Sequence, residues 1–294
     1  MNVLYIGSVF FSKIILEKLV QLNAEIVGVI SKKESDFNSD FYDIIPIAKK
    51  NKIPFLYSED INDKKTITWI NKVGPDIIYC FGWSSLLKNK ILKIPKMGVV
   101  GFHPTLLPKN RGRHPLIWAK VLGLKESGTS FFFMNEGADS GPILNQKRFK
   151  IYFDDTIKDL YDKMIFNALI QIEELNKELK SGTQKVIEQK HLSNSWRKRS
   201  RSDGLIDFRM SNITICNLVR GLSKPYIGAS CYFHGKEIKV WRIKIGNSTN
   251  CHIEPGKIIS VNKNNIEVKS ADGSVILTEH EFIRMPKKNQ YLNT

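Results

Sequence analysis

The first thirty residues carry the strongest constraint on the fold. An apolar run, Val3 to Ile6, stops at Gly7-Ser8; Ile14, Ile15, Leu19 and Leu22 then recur at helical spacing; a second apolar run covers Ile26 to Ile30. Strand, helix and strand in that order argue for a parallel sheet with helices on its faces. Ser12 is the expected cap of the intervening helix. Further strands are expected over Pro54 to Tyr57 and Pro75 to Phe81, with a helix around Lys64 to Lys72. Gly7 is not followed by the remaining glycines of a dinucleotide fingerprint, which argues against a nicotinamide cofactor.

The second half of the chain reads differently. Thr156 to Ser181 predicts one long helix, opened by Thr156 and Asp159 in the form of a capping box, with Ile157, Leu160, Met164, Ala168, Ile172 and Leu175 along one face. A basic run, Ser195 to Ser202, follows; beyond Gly228, short alternating strands are separated by turn signals at His234-Gly235, Asn262 to Asn265 and Asp272-Gly273. The expected architecture is an α/β, Rossmann-like, mostly parallel sheet with helices on both faces, plus a small C-terminal antiparallel β (OB-like) domain. With 294 residues available, two cores can be built. The expected divisions are 1–194, a basic linker 195–204, and a barrel-like domain 205–294.

The formal net charge is +16, and residues 195–294 carry 17 Lys/Arg against 8 Asp/Glu. That balance suits an acidic partner such as nucleic acid, nucleotide or phosphate, or else a lysine-rich surface. Arg197, Lys198, Arg199 and Arg201 could meet a tRNA or a nucleotide diphosphate, or form a solvated linker. The cysteines Cys80, Cys216, Cys231 and Cys251 show no paired spacing, so neither a metal site nor a disulfide framework is expected, and a reducing cytoplasm fits. Cys80 reads as a small core residue. No stretch has the form of an export leader or a membrane span, so no membrane partner is expected.

The chemistry concentrates between Gly98 and Leu144. The strand Val99 to Phe102 runs out at His103-Pro104, because proline removes a donor and restricts its neighbour. His103 is thereby placed at the carboxyl end of a strand, where open α/β sheets hold ligands. A second strand, Thr129 to Met134, delivers Asp139 within Gly137-Ala138-Asp139-Ser140-Gly141. An imidazole beside a carboxylate makes a base for an attacking amine or hydroxyl; a hydrogen-bonding surface histidine and a turn aspartate are the alternative.

The segment His103-Pro104-Thr105-Leu106-Leu107-Pro108, then Arg111-Gly112-Arg113, then Gly137 to Gly141, resembles the formyltransferases that use 10-formyltetrahydrofolate. The resemblance runs from Met1 to the Arg220-Gly221-Leu222-Ser223-Lys224-Pro225-Tyr226 run. It implies direct formyl transfer to an amine with His103 as base, Asp139 orienting the imidazole and supporting its positive form, and no metal. It also implies that Phe81, Gly82 and Trp83 contact folate, as does Asp139, against core packing for the two aromatics. The family pattern places an asparagine where this chain has Gly101. Loss of an oxyanion donor costs other enzymes about 3 kcal/mol, so either Asn110 or a backbone amide takes over, which is the preferred expectation, or the chemistry is slower, or the chain is not a formyltransferase. Arg111 and Arg113 suit a phosphate or a folate glutamate carboxylate, and equally a role in holding the loop.

For the acceptor, the resemblance points to a nucleotide-linked amino sugar, a dTDP- or UDP-linked 4-amino-4,6-dideoxyhexose, in O-antigen or other surface polysaccharide synthesis. The loop Ser31 to Asp43 carries Glu34, Asp36 and Asp40 where the tRNA enzymes have a long basic loop, and phosphate contacts require basic groups. The run Arg113-His114-Pro115-Leu116-Ile117-Trp118 looks closer to the sugar enzymes, with Trp118 either in a helix core or stacked on a base or sugar. Methionyl-tRNA formylation is the alternative, and a non-catalytic nucleotide- or RNA-binding relative the third. A homodimer is left open.

Overall fold

The computed structural model describes residues 1–35, 40–190 and 192–293. The chain forms two compact units that interleave along the sequence: Met1–Arg113, Ser127–Phe149 and Asp162–Trp196 make the first; His114–Glu126, Lys150–Tyr161 and Arg197–Thr294 the second. In chain order the elements are β1 (Val3–Ile6), α1 (Phe10–Gln21), β2 (Ile26–Ser31), α2 (Ile45–Lys50), β3 (Phe55–Tyr57), α3 (Lys64–Val73), β4 (Ile77–Cys80), α4 (Asn89–Leu92) and β5 (Val99–His103). There follow β6 (Arg111–Gly112), α5 (Pro115–Val121), β7 (Glu126–Phe133), β8 (Ile143–Lys150), α6 (Ile157–Ser181), β9 (Ser195–Trp196) and α7 (Asn212–Leu222). The chain closes with β10 (Ala229–Phe233), β11 (Lys236–Ile245), β12 (Ile258–Asn262), β13 (Asn265–Lys269) and β14 (Ser274–His280).

The first unit is built on a seven-stranded sheet of order β3-β2-β1-β4-β5-β7-β8. Strands β3 to β5 in that order pair in parallel, and β7 runs antiparallel to β5. Both faces are covered, as strands buried on each side require. On one, the buried Leu4, Ile6, Ile78 and Cys80 meet Ile70 of α3 and Ile91 of α4. On the other, the Tyr5 hydroxyl donates to Ser12 O of α1 (2.8 Å) and the Tyr79 hydroxyl to Asn176 of α6 (3.4 Å). Helix α1 begins two residues before the expected cap. Val9 is its N-cap, and Ser12 sits in the first turn, where its hydroxyl accepts from the Val9 amide (3.2 Å) and donates to Phe81 O (2.6 Å). The box at the start of α6 does form: Asp159 accepts from the Thr156 amide (2.8 Å) and Thr156 Oγ1 from the Asp159 amide (3.4 Å).

The second unit holds a five-stranded antiparallel sheet of order β10-β11-β14-β13-β12. His234 and Gly235, both at positive φ (48° and 70°), make the two-residue turn between β10 and β11, the conformation a tight hairpin demands. Helix α7 packs on α5 and on β11. Lys120 of α5 is buried, 1% exposed, and its ammonium donates to Tyr152 O (3.0 Å) and Phe153 O (2.7 Å). Burial, aided by the Arg220 charge, pulls its pKa from 10.5 down to about 8. Between those values the unfolded lysine still binds a proton that the folded one has lost, so this group adds stability as pH rises. The Tm of the wild type, relative to Lys120→Met, is expected to rise between pH 8 and pH 10.5; a difference flat in pH would refute it.

The basic run is not a linker free in solvent. Ser195 and Trp196 form β9, paired with β6. In the second unit Arg197 pairs with Asp203 (2.5 Å), Arg201 pairs with Glu237, and Arg199, 9% exposed, lies 4.7 Å from the Trp118 ring centre. Trp118 Nε1 donates to Arg197 O (3.0 Å). Trp118 thus holds the basic segment, a partner that neither a core role nor base stacking anticipates. Among the described residues no helix is long and apolar enough to cross a membrane.

Candidate functional site

His103 is the last residue of β5, registered opposite Ser130 of β7. The loop after it is pinned from below by Ser130, which is fully buried: its hydroxyl donates to Thr105 O (2.6 Å) and accepts from Gln146 Nε2 (2.8 Å). The imidazole is therefore fixed in place rather than swinging at a strand end. Its Nε2 lies 2.8 Å from Asn110 O. A carbonyl can only accept, so Nε2 carries the proton and the lone pair of the neutral ring is on Nδ1.

That nitrogen faces Asp139 Oδ2 at 3.6 Å. The separation exceeds hydrogen-bond length but places a carboxylate beside the position where a captured proton would sit. Asp139 has φ +52°, and its Oδ2 also accepts from the Gly112 amide (3.1 Å). The structure therefore brings His103 and Asp139 together, with a different division of labour from the expected one. The Asn110 carbonyl orients the ring, and Asp139 faces its basic nitrogen. His103 has a side chain 6% exposed against 22% for Asp139, so the carboxylate is the open edge of the pair.

Asn110, at φ +63°, reaches the site through its backbone. Its side-chain oxygen accepts from Asn194 Nδ2 (3.0 Å) and its amide donates to Asn194 Oδ1 (2.8 Å), which leaves its Nδ2 as the group with hydrogens to give. At Gly101 there is no room for a side chain: a Cβ would lie 2.9 Å from Met134 Cγ and 2.9 Å from Phe132 Cζ. The space is filled by these two side chains rather than left vacant.

Of the four residues expected at folate, Asp139 lies beside His103 as described above, and Phe81 is completely buried. It is stacked on Tyr79 (5.5 Å) and set edge-on to Tyr5 and Phe131, so its ring belongs to the core. Gly82, at φ +70°, turns the chain at the carboxyl end of β4. Trp83 is half-buried, its Nε1 donates to Ser85 Oγ (2.8 Å), and Lys32 lies 5.4 Å from its ring centre. Arg113 Nη2 donates to Ser84 O (3.2 Å), tying this loop to the one after His103. Arg111 is engaged at both outer nitrogens, by Ser193 Oγ (3.0 Å) and Gln189 Oε1 (2.6 Å). Asp36 lies outside the described residues.

Gln189, Ser193 and Asn194 go unnoticed in the sequence. They lie in an unpatterned polar segment, and their partners are 48 to 84 residues away, so no local spacing marks them.

Comparison with known proteins adds two matches that together span most of the chain: "Formyl transferase" over residues 1–172 and "Formyl transferase, C-terminal domain" over 198–291. The bifunctional polymyxin resistance protein ArnA of Wigglesworthia glossinidia brevipalpis is 35% identical over 87% of this chain, which spans only 40% of that longer protein. The methionyl-tRNA formyltransferase of Clostridioides difficile (strain 630) is 29% identical over 99% of this chain and 94% of its own length. Among solved structures, WlaRD, a sugar 3N-formyl transferase crystallised in the presence of dTDP and 5-N-formyl-THF, superposes with a TM-score of 0.72. It is 17% identical and covers 97% of this chain and 99% of its own. The sheet order, the strand-end histidine and these matches agree: the chain belongs to the formyl transferase family.

Proposed function

We propose that this protein moves a formyl group from 10-formyltetrahydrofolate to the amine of a nucleotide-linked amino sugar, a dTDP- or UDP-linked 4-amino-4,6-dideoxyhexose. The observation that carries the transfer chemistry is the His103 Nδ1 to Asp139 Oδ2 approach of 3.6 Å, with Nε2 already committed to Asn110 O. The amine enters from the open Asp139 edge and adds to the formyl carbon. His103 Nδ1 takes its proton, and the resulting imidazolium is held between a carbonyl and a carboxylate. The tetrahedral oxyanion takes a hydrogen bond from Asn110 Nδ2, the donor we assign in place of the missing asparagine. Collapse breaks the bond between the formyl carbon and N10, and tetrahydrofolate leaves with a proton. Gly82 and Trp83 are the folate-side residues in this reading, and Arg111 and Arg113 hold the loops between which the substrates meet.

For the acceptor, support comes from the basic run: Arg199 is buried against Trp118, and the exposed Arg197 and Arg201 are each already paired with a carboxylate, Asp203 and Glu237. Methionyl-tRNA is the second reading, favoured by the end-to-end match to a tRNA enzyme. Turnover of 10-formyltetrahydrofolate with a panel of dTDP- and UDP-linked amino sugars, alongside charged initiator methionyl-tRNA, separates them. Formylation of a sugar is the expected result. Formylation of the tRNA alone would replace the acceptor, and no transfer to either would point to a non-catalytic relative.

A further inference from the structure

Among the described residues the Gln189 carboxamide makes three hydrogen bonds, all to the loops that carry His103 and Asp139. Its Nε2 donates to Asp139 O (3.1 Å) and Gly141 O (2.6 Å), while its Oε1 accepts from Arg111 Nη2 (2.6 Å). Two carbonyls that only accept and a guanidinium that only donates leave one orientation for this amide. On the far side, Arg111 Nη1 donates to Ser193 Oγ (3.0 Å), and Arg111 Nε is buried with no hydrogen-bond partner among the described residues, so the two outer nitrogens set the guanidinium's place. Next along, Asn194 takes both the amide and the side-chain oxygen of Asn110. The short β6·β9 pairing then runs so close that a Cβ on Gly112, at φ +101°, would lie 2.2 Å from Trp196 O.

These contacts converge on two atoms of the chemistry. Asn110 O, which orients His103, and the Asp139 carboxylate, which faces Nδ1, belong to different loops; the segment containing Gln189, Ser193 and Asn194 joins them. Asp139 itself sits at φ +52°, in the left-handed region, which is uncommon outside glycine although aspartate tolerates it better than most residues. The Gln189 amide, bonded to the carbonyls of Asp139 and Gly141, holds the backbone of this turn directly.

We propose that Gln189 is a positioning residue for formyl transfer: it fixes the backbone of Asp139 so that the carboxylate stands at His103 Nδ1, and through Arg111 it couples that loop to the one carrying Asn110. This role rests on the formyl-transfer reading. Arg111 is accordingly part of the restraint and does not bind a phosphate or a folate carboxylate.

The test is a double-mutant cycle between Gln189 and Asp139, with an NMR readout of the His103 ring nitrogens taken without substrate. Misplacing a catalytic group by an ångström costs about 10²-fold, so Gln189→Ala is expected to lower kcat by roughly 10- to 100-fold with KM unchanged. In the Asp139→Ala background it should have no further effect. Gln189→Glu keeps the size and the Arg111 contact but cannot donate to the two carbonyls, so it should match Gln189→Ala. Both variants should shift the His103 ring signals toward those of Asp139→Ala. A raised KM with kcat intact, full activity in Gln189→Glu, or an undiminished effect in the Asp139→Ala background would each overturn the proposal. If the ring signals shift as expected while no acceptor is formylated, the positioning role stands and the formyl-transfer reading fails.

Discussion

His103→Ala is expected to slow formyl transfer by about 10²- to 10⁴-fold, the range that general-base catalysis contributes. The reason is the singularity of its setting. The Asn110 carbonyl fixes the proton on Nε2 and Ser130 pins the following loop, so the basic lone pair has one direction, toward Asp139. None of the other described histidines lies on this strand end, so none of them is placed to substitute. Single-turnover kinetics with the formyl donor saturating is the appropriate measurement. Loss of the chemical step with donor binding retained is the expected pattern, since a base in the proposed role acts only after both substrates are in place. A variant that keeps most of its rate would show that proton removal is left to solvent and would reduce the pair to a structural contact.

Phe81→Ala carries the other large expectation, and here the measured quantity is stability. The ring is completely buried, stacked on Tyr79 and edge-on to Tyr5 and Phe131. Deleting such a ring costs about 3–5 kcal/mol, which for a unit of this size lowers Tm by roughly 6–20 °C. Thermal unfolding monitored by near-UV circular dichroism reads the effect through the same aromatic cluster. A raised KM for the formyl donor with an unchanged Tm would return Phe81 to the ligand; the packing predicts the reverse.

The contrast between these two residues shows what the sequence exposes. An apolar run that ends at Pro104 marks both a strand and its end, so His103 can be placed from local rules alone. Asp139 is legible for the same reason, because the aromatic strand before it stops in a glycine-rich loop. Phe81 sits at an equally legible strand end, yet the direction of its ring depends on Tyr5 and Phe131, which only the assembled sheet brings to it. Ser12 marks the first turn of α1 and not its cap, because its hydroxyl serves Val9 and Phe81 at once. The basic run looks like a phosphate site or a solvated linker while its neighbours are unknown; Asp203, Glu237 and Trp118 then claim its arginines. Gln189 is the extreme case, a glutamine in a featureless segment whose partners are all supplied by the tertiary structure.

The interleaving of the two units bears on how the protein is made. Helix α5 (Pro115–Val121) buries Leu116, Ile117 and Ala119, and its packing partner α7 begins only at Asn212. At a synthesis rate of about 5–20 residues per second, the ribosome needs roughly 5–20 s to reach that partner. During this interval the nascent chain carries an amphipathic helix with no place to dock. Cutting the gene after Trp196 makes the wait permanent, because α5 and the 150–161 segment belong to the unit that has been discarded. Exchange of the C-terminal region between relatives would therefore succeed only when those two upstream segments travel with it.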